Sequence, residues 1–195
     1  VLEVTGESQY PGGAANVARN LRLFCETVSI CGLIGHDKAG EDLKALLREE
    51  GIETSGLVAS ESMPTIVKTR FVARQQQVVR VDREKKAPPL PEVRKRAIEQ
   101  IAMLLENADG VIFEDYGKGL LDQALVEDIC SMEAIRGKVV TADPNTQNPL
   151  RWCGVTVLKP NRGEAFAMAG RPDPGASEDP LTDRPLLETA RRLLE

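Results

Sequence analysis

One stretch, residues 110–164, constrains the fold of this chain more than any other. It contains three short apolar runs, each followed by polar residues, and a helical pattern separates the first two runs. Short apolar runs that alternate with helices predict parallel strands buried on both faces. The runs cover residues 111–113, 139–142 and 155–158.

Polar side chains follow all three predicted strands. In an open parallel sheet, ligands bind beyond the carboxyl ends of the strands. Acids, amides and amines at such an edge suit a phosphate group and its metal ion, although loops at strand ends are polar in any protein. Because the pattern occurs at three consecutive strand ends, it favours a binding site. The polar residues at these ends include Asp115, Lys118, Asp143, Asn145, Lys159, Asn161 and Glu164.

The composition excludes several classes of protein. The chain has 195 residues, of which 42% are hydrophobic and 28% charged, as in ordinary globular domains. Its net charge of -5 gives no support for binding to nucleic acid or to an anionic membrane. No apolar run approaches the ~20 residues that span a bilayer. The four cysteines form no C-x-x-C pair and indicate a reducing compartment, so the sequence predicts a cytoplasmic protein.

Upstream of the strand runs, a glycine pair opens a predicted helix. Gly12 and Gly13 precede apolar residues at helical spacing, and Asn16 falls in the first turn. The free N–H groups of a helix N-terminus suit polar ligand contacts. The same residues equally suit a glycine-rich entry to a packed helix, and the sequence leaves both interpretations open.

An extended pattern in residues 65–74 and 78–83 predicts a β-hairpin around residues 75–77. It interrupts an otherwise βα pattern, so we expect it to project from the main sheet. Its cationic side chains suit closure over an anionic substrate. The alternative is a solvated antiparallel edge whose charges resist aggregation.

The remaining pattern predicts helices and connectors. Helices are expected at residues 39–50, 92–108, 122–135, 161–169 and 186–195, with Asp122 as an N-cap, and residues 1–9 are expected to form a strand. The extended start and the helix that ends without a stop signal predict a fragment of a longer protein.

Five motifs occur in the order seen in ribokinase-like (PfkB-type) carbohydrate kinases, which the chain resembles from about residue 11 to residue 170. Within that family it is most similar to the heptose 7-phosphate kinases of ADP-heptose synthesis. The motifs are residues 12–18, the hairpin, residues 115–119, residues 143–145 and residues 159–164.

This resemblance implies an α/β fold, a Rossmann-like parallel sheet with helices on both faces and a projecting β-hairpin lid, truncated at both ends. It makes residues 1–195 a partial kinase domain, with lid strands at about residues 1–10 and 65–83. The implied partners are a small-molecule sugar phosphate and a second copy of the chain bound through the lid hairpin.

The resemblance also implies ATP-dependent phosphoryl transfer to D-glycero-β-D-manno-heptose 7-phosphate at C1, with Mg²⁺. Residues implied to bind the sugar phosphate are Gly12, Gly13, Asn16, Lys68, Arg70, Arg80, Asp82 and Asp115. Residues implied to bind the nucleotide phosphates are Lys118, Asp143, Asn161 and Glu164. Asn161 and Glu164 are further implied to organise Mg²⁺ through water.

The chain departs from the family pattern at one important point. Such kinases carry a later Gly-Ala-Gly-Asp segment that supplies the catalytic base and an anion hole, and the chain contains none. The resemblance therefore implies that these residues alone are an inefficient kinase. Two hypotheses follow: part of a kinase, whether for this heptose phosphate or another sugar, or a non-catalytic sugar- or nucleotide-binding protein on the same scaffold.

Overall fold

The computed structural model describes residues 3–194, which divide into two compact units. The first unit comprises the chain up to Asn107 together with Lys118–Leu120. The second unit comprises Ala108–Gly117 and the chain from Leu121 onward.

The first unit combines a parallel strand pair, three helices and a hairpin. β1 (Gly32–Gly35) and β2 (Leu57–Ser60) pair in parallel, with Ile34 opposite Ala59. Apolar side chains of both strands, of the helix before each strand and of the segments that connect them form the core, in which Ile34, Leu47 and Ile52 are buried. In chain order its elements are α1 (Ala14–Leu21), β1 (Gly32–Gly35), α2 (Lys38–Glu49), β2 (Leu57–Ser60), β3 (Val67–Ala73), β4 (Gln76–Arg83) and α3 (Pro91–Leu105).

Helix α2 shows how local sequence sets an element's limits. Asp37 is the N-cap, and its side chain accepts a hydrogen bond from the Gly40 N–H at 3.0 Å. Gly51 follows the helix with a φ of 72°, a left-handed conformation that glycine adopts without strain.

The predicted hairpin is confirmed. β3 and β4 pair antiparallel, with Lys68 opposite Asp82 and Arg70 opposite Arg80. Arg74 and Gln75 form the turn with positive φ angles of 55° and 94°.

The second unit contains a three-stranded parallel sheet in the order β5 (Gly110–Glu114), β6 (Val139–Asp143), β7 (Val157–Leu158). This arrangement confirms the prediction that residues 111–113 and 139–142 lie in parallel strands of one sheet. Asp122 caps helix α4 (Gln123–Ser131) as predicted, accepting from the Leu125 N–H at 2.7 Å. The elements are β5 (Gly110–Glu114), α4 (Gln123–Ser131), a 3₁₀ turn (Glu133–Ile135), β6 (Val139–Asp143), β7 (Val157–Leu158), α5 (Arg162–Met168) and α6 (Arg184–Leu194).

Burial of this sheet is less symmetrical than the sequence predicts. Phe113, Val140 and Ala142 are buried, but Ile112 is 41% exposed and Val157 49% exposed. Ile112 and Val157 both lie opposite Thr141, so they share the more open face. The expectation of burial on both faces therefore holds for one face only.

Two further expectations differ from the structure. Residues 3–10 of the expected N-terminal strand are exposed and take no regular structure, because no described strand pairs with them; Val1 and Leu2 lie outside the described residues. The helix expected up to residue 135 ends at Ser131, and Met132, with a ψ of 140°, separates it from the 3₁₀ turn. Among the described residues, no helix is long and apolar enough to span a membrane.

Candidate active site

One face of the hairpin carries four of the eight residues predicted to bind the sugar phosphate. Cross-strand partners share a face, and so do residues two apart on a strand. Lys68, Arg70, Arg80 and Asp82 therefore lie on one side of β3 and β4. We call this side the cationic face.

Ion pairs order the cationic face. Lys68 Nζ lies 2.7 Å from Asp82 Oδ2, and Arg80 donates to both Asp82 oxygens at 2.8 and 3.0 Å. The hydrogen bond from Lys68 lowers the pKa of the Asp82 carboxyl, and Arg80 adds to the effect against a smaller desolvation cost. Asp82 therefore stays ionised at neutral pH and fixes two cations side by side.

The structure places Lys118 beside this face as well. Its Nζ lies 2.5 Å from Glu84 Oε2, and the same oxygen lies 3.5 Å from Lys68 Nζ. The family resemblance implies that Lys118 binds the nucleotide phosphates, and the sequence predicts no role for Glu84. Glu84 directly follows the last residue of β4, a position that offered no recognisable motif.

The glycine-rich turn of the first unit forms the entry to α1. Gly13 is the N-cap, with a φ of 55° that favours glycine. A side chain at Gly12 would meet no atom within 4 Å, and Gly12, Gly13 and Asn16 are all exposed. The backbone of this turn is thus open to approach, which suits the predicted contact with sugar hydroxyls.

In the second unit, charged side chains meet at the carboxyl ends of the strands. Glu114 lies opposite Asp143 in the register of β5 and β6. Lys159 donates to Asp143 at 3.0 Å, and this hydrogen bond raises the Lys159 pKa, helped by the nearby charges of Asp143, Glu114 and Glu164. We call these four residues the strand-end cluster.

Glu114 receives no role from the sequence, and Lys159 is named only among the polar residues at the strand ends. Burial raises the pKa of Glu114, and the neighbouring Asp143 charge raises it further. The sequence pattern could have indicated both residues, since each directly follows an apolar strand run. The cluster therefore contains three acids around one amine, which suits a cation-assisted phosphate site.

Asp115 is buried, with 7% of its surface exposed, and it organises a loop. It accepts from the Gly117 N–H at 2.7 Å and from Asn148 Nδ2 at 2.8 Å. Asn148 Nδ2 also donates to the Leu121 carbonyl at 3.0 Å. Burial raises the Asp115 pKa, and the two hydrogen bonds oppose that rise. Both Asp115 oxygens thus contact protein groups, and its predicted role in sugar binding stays a prediction.

Asn161 and Glu164 form a reciprocal cap at the start of α5. Asn161 Oδ1 accepts from the Glu164 N–H at 3.0 Å, and Glu164 Oε2 accepts from the Asn161 N–H at 2.7 Å. This capping box satisfies two helix N–H groups. One Glu164 oxygen is therefore committed to structure, while its charge lies near Lys159.

Arg162 binds the loop after α5. Its guanidinium donates to Asp173 at 2.9 Å, to Asp183 at 2.6 Å and to the Gly175 carbonyl at 2.5 Å. It also lies 4.9 Å from the centre of the Phe166 ring. These contacts order the connector between α5 and α6.

Within residues 3–194, no group of three or more His, Cys, Asp or Glu side chains is arranged to hold a metal ion. Mg²⁺ does not require such a group, because proteins usually bind it with one or two carboxylates plus substrate phosphates and water. The strand-end cluster supplies carboxylate oxygens, which are the kind of donor that Mg²⁺ prefers.

The sequence matches the family model described as pfkB family carbohydrate kinase over residues 1–186. It is 39% identical over 164 residues to the bifunctional protein HldE of Helicobacter pylori strain J99, covering 84% of this chain and 35% of that protein. It is 38% identical over 170 residues to the bifunctional protein HldE of Wolinella succinogenes, covering 87% of this chain and 36% of that protein. The chain thus spans about a third of these relatives.

Solved structures share the fold. The tetrameric inhibited form of phosphofructokinase-2 from Escherichia coli matches with a TM-score of 0.67 and 16% identity, over 98% of this chain and 64% of that one. The 2-dehydro-3-deoxygluconokinase of Thermotoga maritima matches with a TM-score of 0.66 and 16% identity, over 93% of this chain and 58% of that one. These matches establish the ribokinase-like α/β fold.

Proposed function

Because this chain belongs to the pfkB family of carbohydrate kinases, we propose that it is part of an enzyme that phosphorylates a sugar phosphate. The proposed reaction transfers a phosphoryl group from ATP to C1 of D-glycero-β-D-manno-heptose 7-phosphate, in the cytoplasm. The product would be the 1,7-bisphosphate, a precursor in ADP-heptose synthesis. Similarity to two HldE proteins supports this choice among sugar kinases.

The observation that carries the proposal is the cationic face. Lys68, Arg70 and Arg80 project from one side of the hairpin, and Asp82 fixes two of them. Charge-assisted hydrogen bonds to a phosphate contribute about 1.5–3 kcal/mol each. A site built from several such donors favours a phosphorylated sugar over the same sugar without its phosphate.

We propose roles in sugar binding for the remaining candidate residues, on the basis of their functional groups. The open turn of Gly12 and Gly13, with Asn16, would contact sugar hydroxyls, and Asp82 would accept from one of them. Asp115 would position its loop against the sugar. These assignments remain proposals at each position.

The strand-end cluster would receive ATP and its magnesium ion. Asp143, Asn161 and Glu164 would hold Mg²⁺ directly or through water, and the bound ion would neutralise charge on the phosphates. Lys159 lies among these acids and would balance their charge as the nucleotide enters. Glu164 would take this role while keeping its hydrogen bond to the Asn161 N–H.

A panel of acceptors tests the proposal. The full-length protein that carries this chain would be supplied with ATP, Mg²⁺ and either the heptose 7-phosphate, the unphosphorylated heptose or fructose 6-phosphate. We expect ADP release with the heptose 7-phosphate and a new phosphate at C1 by NMR. Equal turnover of the unphosphorylated heptose would reject the substrate. Binding without ADP release would favour a non-catalytic sugar-binding protein.

We further propose that two copies of the chain associate through the hairpin. Its second face pairs Phe71 with Val79 and Thr69 with Val81. The apolar side chains there are exposed by 37% at Phe71, 44% at Val79 and 53% at Val81. An apolar strand face that is left exposed marks an interaction surface.

The oligomeric state distinguishes this surface from a solvated edge. Val79→Lys should shift the protein from dimer to monomer in sedimentation velocity. Gln76→Lys, next to the hairpin turn, adds the same charge as a matched control and should leave the dimer intact. A monomeric wild-type protein, or a Val79→Lys dimer, would contradict the proposal.

A further inference from the structure

Glu84 lies between two lysines that the sequence assigns to different ligands. Lys68 was predicted to contact the sugar phosphate and Lys118 the nucleotide. One carboxylate oxygen of Glu84 accepts from Lys118 Nζ at 2.5 Å and lies 3.5 Å from Lys68 Nζ. The structure therefore brings both ammonium groups to a single acid.

The stem of the Lys118 side chain packs against apolar residues, and its ammonium group pairs with Glu84. It lines an apolar cavity of about 80 Å³ together with Met63, Ile66 and Leu120, and its side chain is only 25% exposed. A lysine stem packs against such walls while its ammonium group stays at the polar edge. Here that edge is Glu84.

The backbone around Lys118 is fitted just as closely. Gly119 has a φ of 100°, and a Cβ at this position would lie 2.3 Å from the carbonyl oxygen of Ala87. Only glycine fits there, so the segment with Lys118 lies directly against the connector that follows Glu84. The position of Lys118 relative to the hairpin is thus set by packing and by an ion pair.

The charges form an alternating row that suits a doubly charged anion. Lys118, Glu84, Lys68, Asp82 and Arg80 follow one another in contact, so three cations are separated by two acids. Lys118 keeps the Glu84 pKa low through its hydrogen bond, so Glu84 remains charged. Arg70, opposite Arg80, is a fourth cation, which gives the group a net charge of +2. A phosphate monoester carries about −1.5 to −2 at neutral pH.

We propose that Glu84 is a positioning residue that holds Lys118 and Lys68 toward one shared anion, the phosphate of the sugar substrate. Lys118 then serves the sugar phosphate and not the nucleotide. This inference rests on the proposed sugar-phosphate function. Glu84 separates the two ammonium groups and fixes their spacing before the substrate arrives, which lowers the ordering cost of binding.

Steady-state kinetics of the full-length protein test this assignment. Lys118→Met keeps the stem and removes the charge, and Glu84→Gln keeps the shape and removes the acid. Both should raise KM for the heptose 7-phosphate about tenfold, while KM for ATP stays within about twofold. Because Glu84 acts partly through Lys118 and partly through Lys68, the double variant should raise KM by less than the product of the two single effects.

Controls separate this role from general destabilisation. Glu99→Gln removes an exposed acid that lies 3.9 Å from Lys95 on α3, and it should leave both KM values unchanged. Glu84→Asp retains the charge and should recover part of the affinity for the sugar phosphate.

Each other outcome overturns the inference. A rise in KM for ATP alone would show that Lys118 binds the nucleotide and not the sugar phosphate. Unchanged KM values in both variants would show that the Glu84–Lys118 pair is purely structural. If the wild-type protein still preferred the phosphorylated sugar, the proposed function would stand without this inference. A wild-type protein without that preference would reject the proposed function and this inference together.

Discussion

The Thr65 hydroxyl donates to Asp37 Oδ1 at 2.6 Å and accepts from the Gly35 N–H at 2.8 Å. The Thr65 N–H also donates to the second Asp37 oxygen, at 3.0 Å. Asp37 caps α2, and Thr65 lies two residues before β3 begins at Val67. This pair therefore fixes the point at which the hairpin leaves the parallel strands.

Replacing Thr65 with valine should destabilise the protein by about 1–3 kcal/mol, because the buried Gly35 N–H loses its acceptor and Asp37 loses a donor. Valine has nearly the same shape, so packing changes little. Chemical denaturation would measure the difference. Thr69→Val, at an exposed position in β3, should change stability by less than about 0.5 kcal/mol. A loss of equal size in both variants would contradict the role given to this hydroxyl.

The stability that Asp37 contributes should depend on pH. Burial favours the neutral acid, but hydrogen bonds from Thr65 and Gly40 and the Arg83 charge outweigh it and lower the Asp37 pKa. A lowered folded-state pKa gives stability that is full above the unfolded value of about 3.9 and is lost as pH falls through the folded value. Asp37→Asn should thus be less stable than wild type at pH 7, with the gap narrowing at pH 3.

Urea denaturation at both pH values measures that gap. Asp109→Asn removes an exposed acid of the second unit and should change stability by less than about 0.5 kcal/mol. An Asp37→Asn deficit of the same size at pH 3 and pH 7 would show that its charge is unimportant.

Arg80→Ala should raise KM for the sugar phosphate about tenfold or more, about 1.4 kcal/mol or more of binding energy. Its guanidinium lies on the cationic face and is ordered by two hydrogen bonds to Asp82. Arg74→Ala, which removes an arginine at the hairpin turn, is the matched control and should leave KM unchanged. If the two variants behave alike, Arg80 lies outside the site.

Glu164→Gln tests whether the acid does more than cap its helix. The glutamine oxygen can still accept from the Asn161 N–H, so the capping box remains and the melting temperature should stay close to wild type. Without the charge, kcat should fall about tenfold or more, about 1.4 kcal/mol of transition-state stabilisation. The Mg²⁺ concentration for half-maximal rate should rise.

Two results would limit Glu164 to a structural role. One is normal turnover with an unchanged Mg²⁺ response in Glu164→Gln. The other is an equal fall in kcat in Glu188→Gln, which removes an exposed acid 3.0 Å from Arg171.

Sequence patterns predicted what depends on local residues. Apolar periodicity placed the parallel strands at residues 111–113 and 139–142, and alternation placed the hairpin and brought Lys68 and Arg80 to one face. The Asp122 cap followed from its place before a helical pattern. These features depend on neighbours a few residues apart, so the sequence alone carries them.

Contacts between distant segments were not predictable in the same way. Glu84 and Lys118 are 34 residues apart, and Asp115 and Asn148 are 33 apart. The residues around Glu84 and Asp115 do not indicate that Lys118 and Asn148 are their partners. The sequence therefore pointed to Lys118 and Asp115 but not to their partners Glu84 and Asn148, nor did it show that Glu164 is part of a capping box.

The three hydrogen-bonded partners of Arg162 affect how this protein tolerates insertions in the connector between α5 and α6. Asp173, Gly175 and Asp183 are tied to one guanidinium, and Leu181 between them is 80% exposed. Insertions near Leu181 can lengthen the surface loop without moving α6, because both ends of the loop stay anchored. Loss of Arg162 removes its contacts with Asp173, Gly175 and Asp183 together and should make the connector more open to proteases. The tolerance of this region to insertions thus depends on a residue at the start of α5.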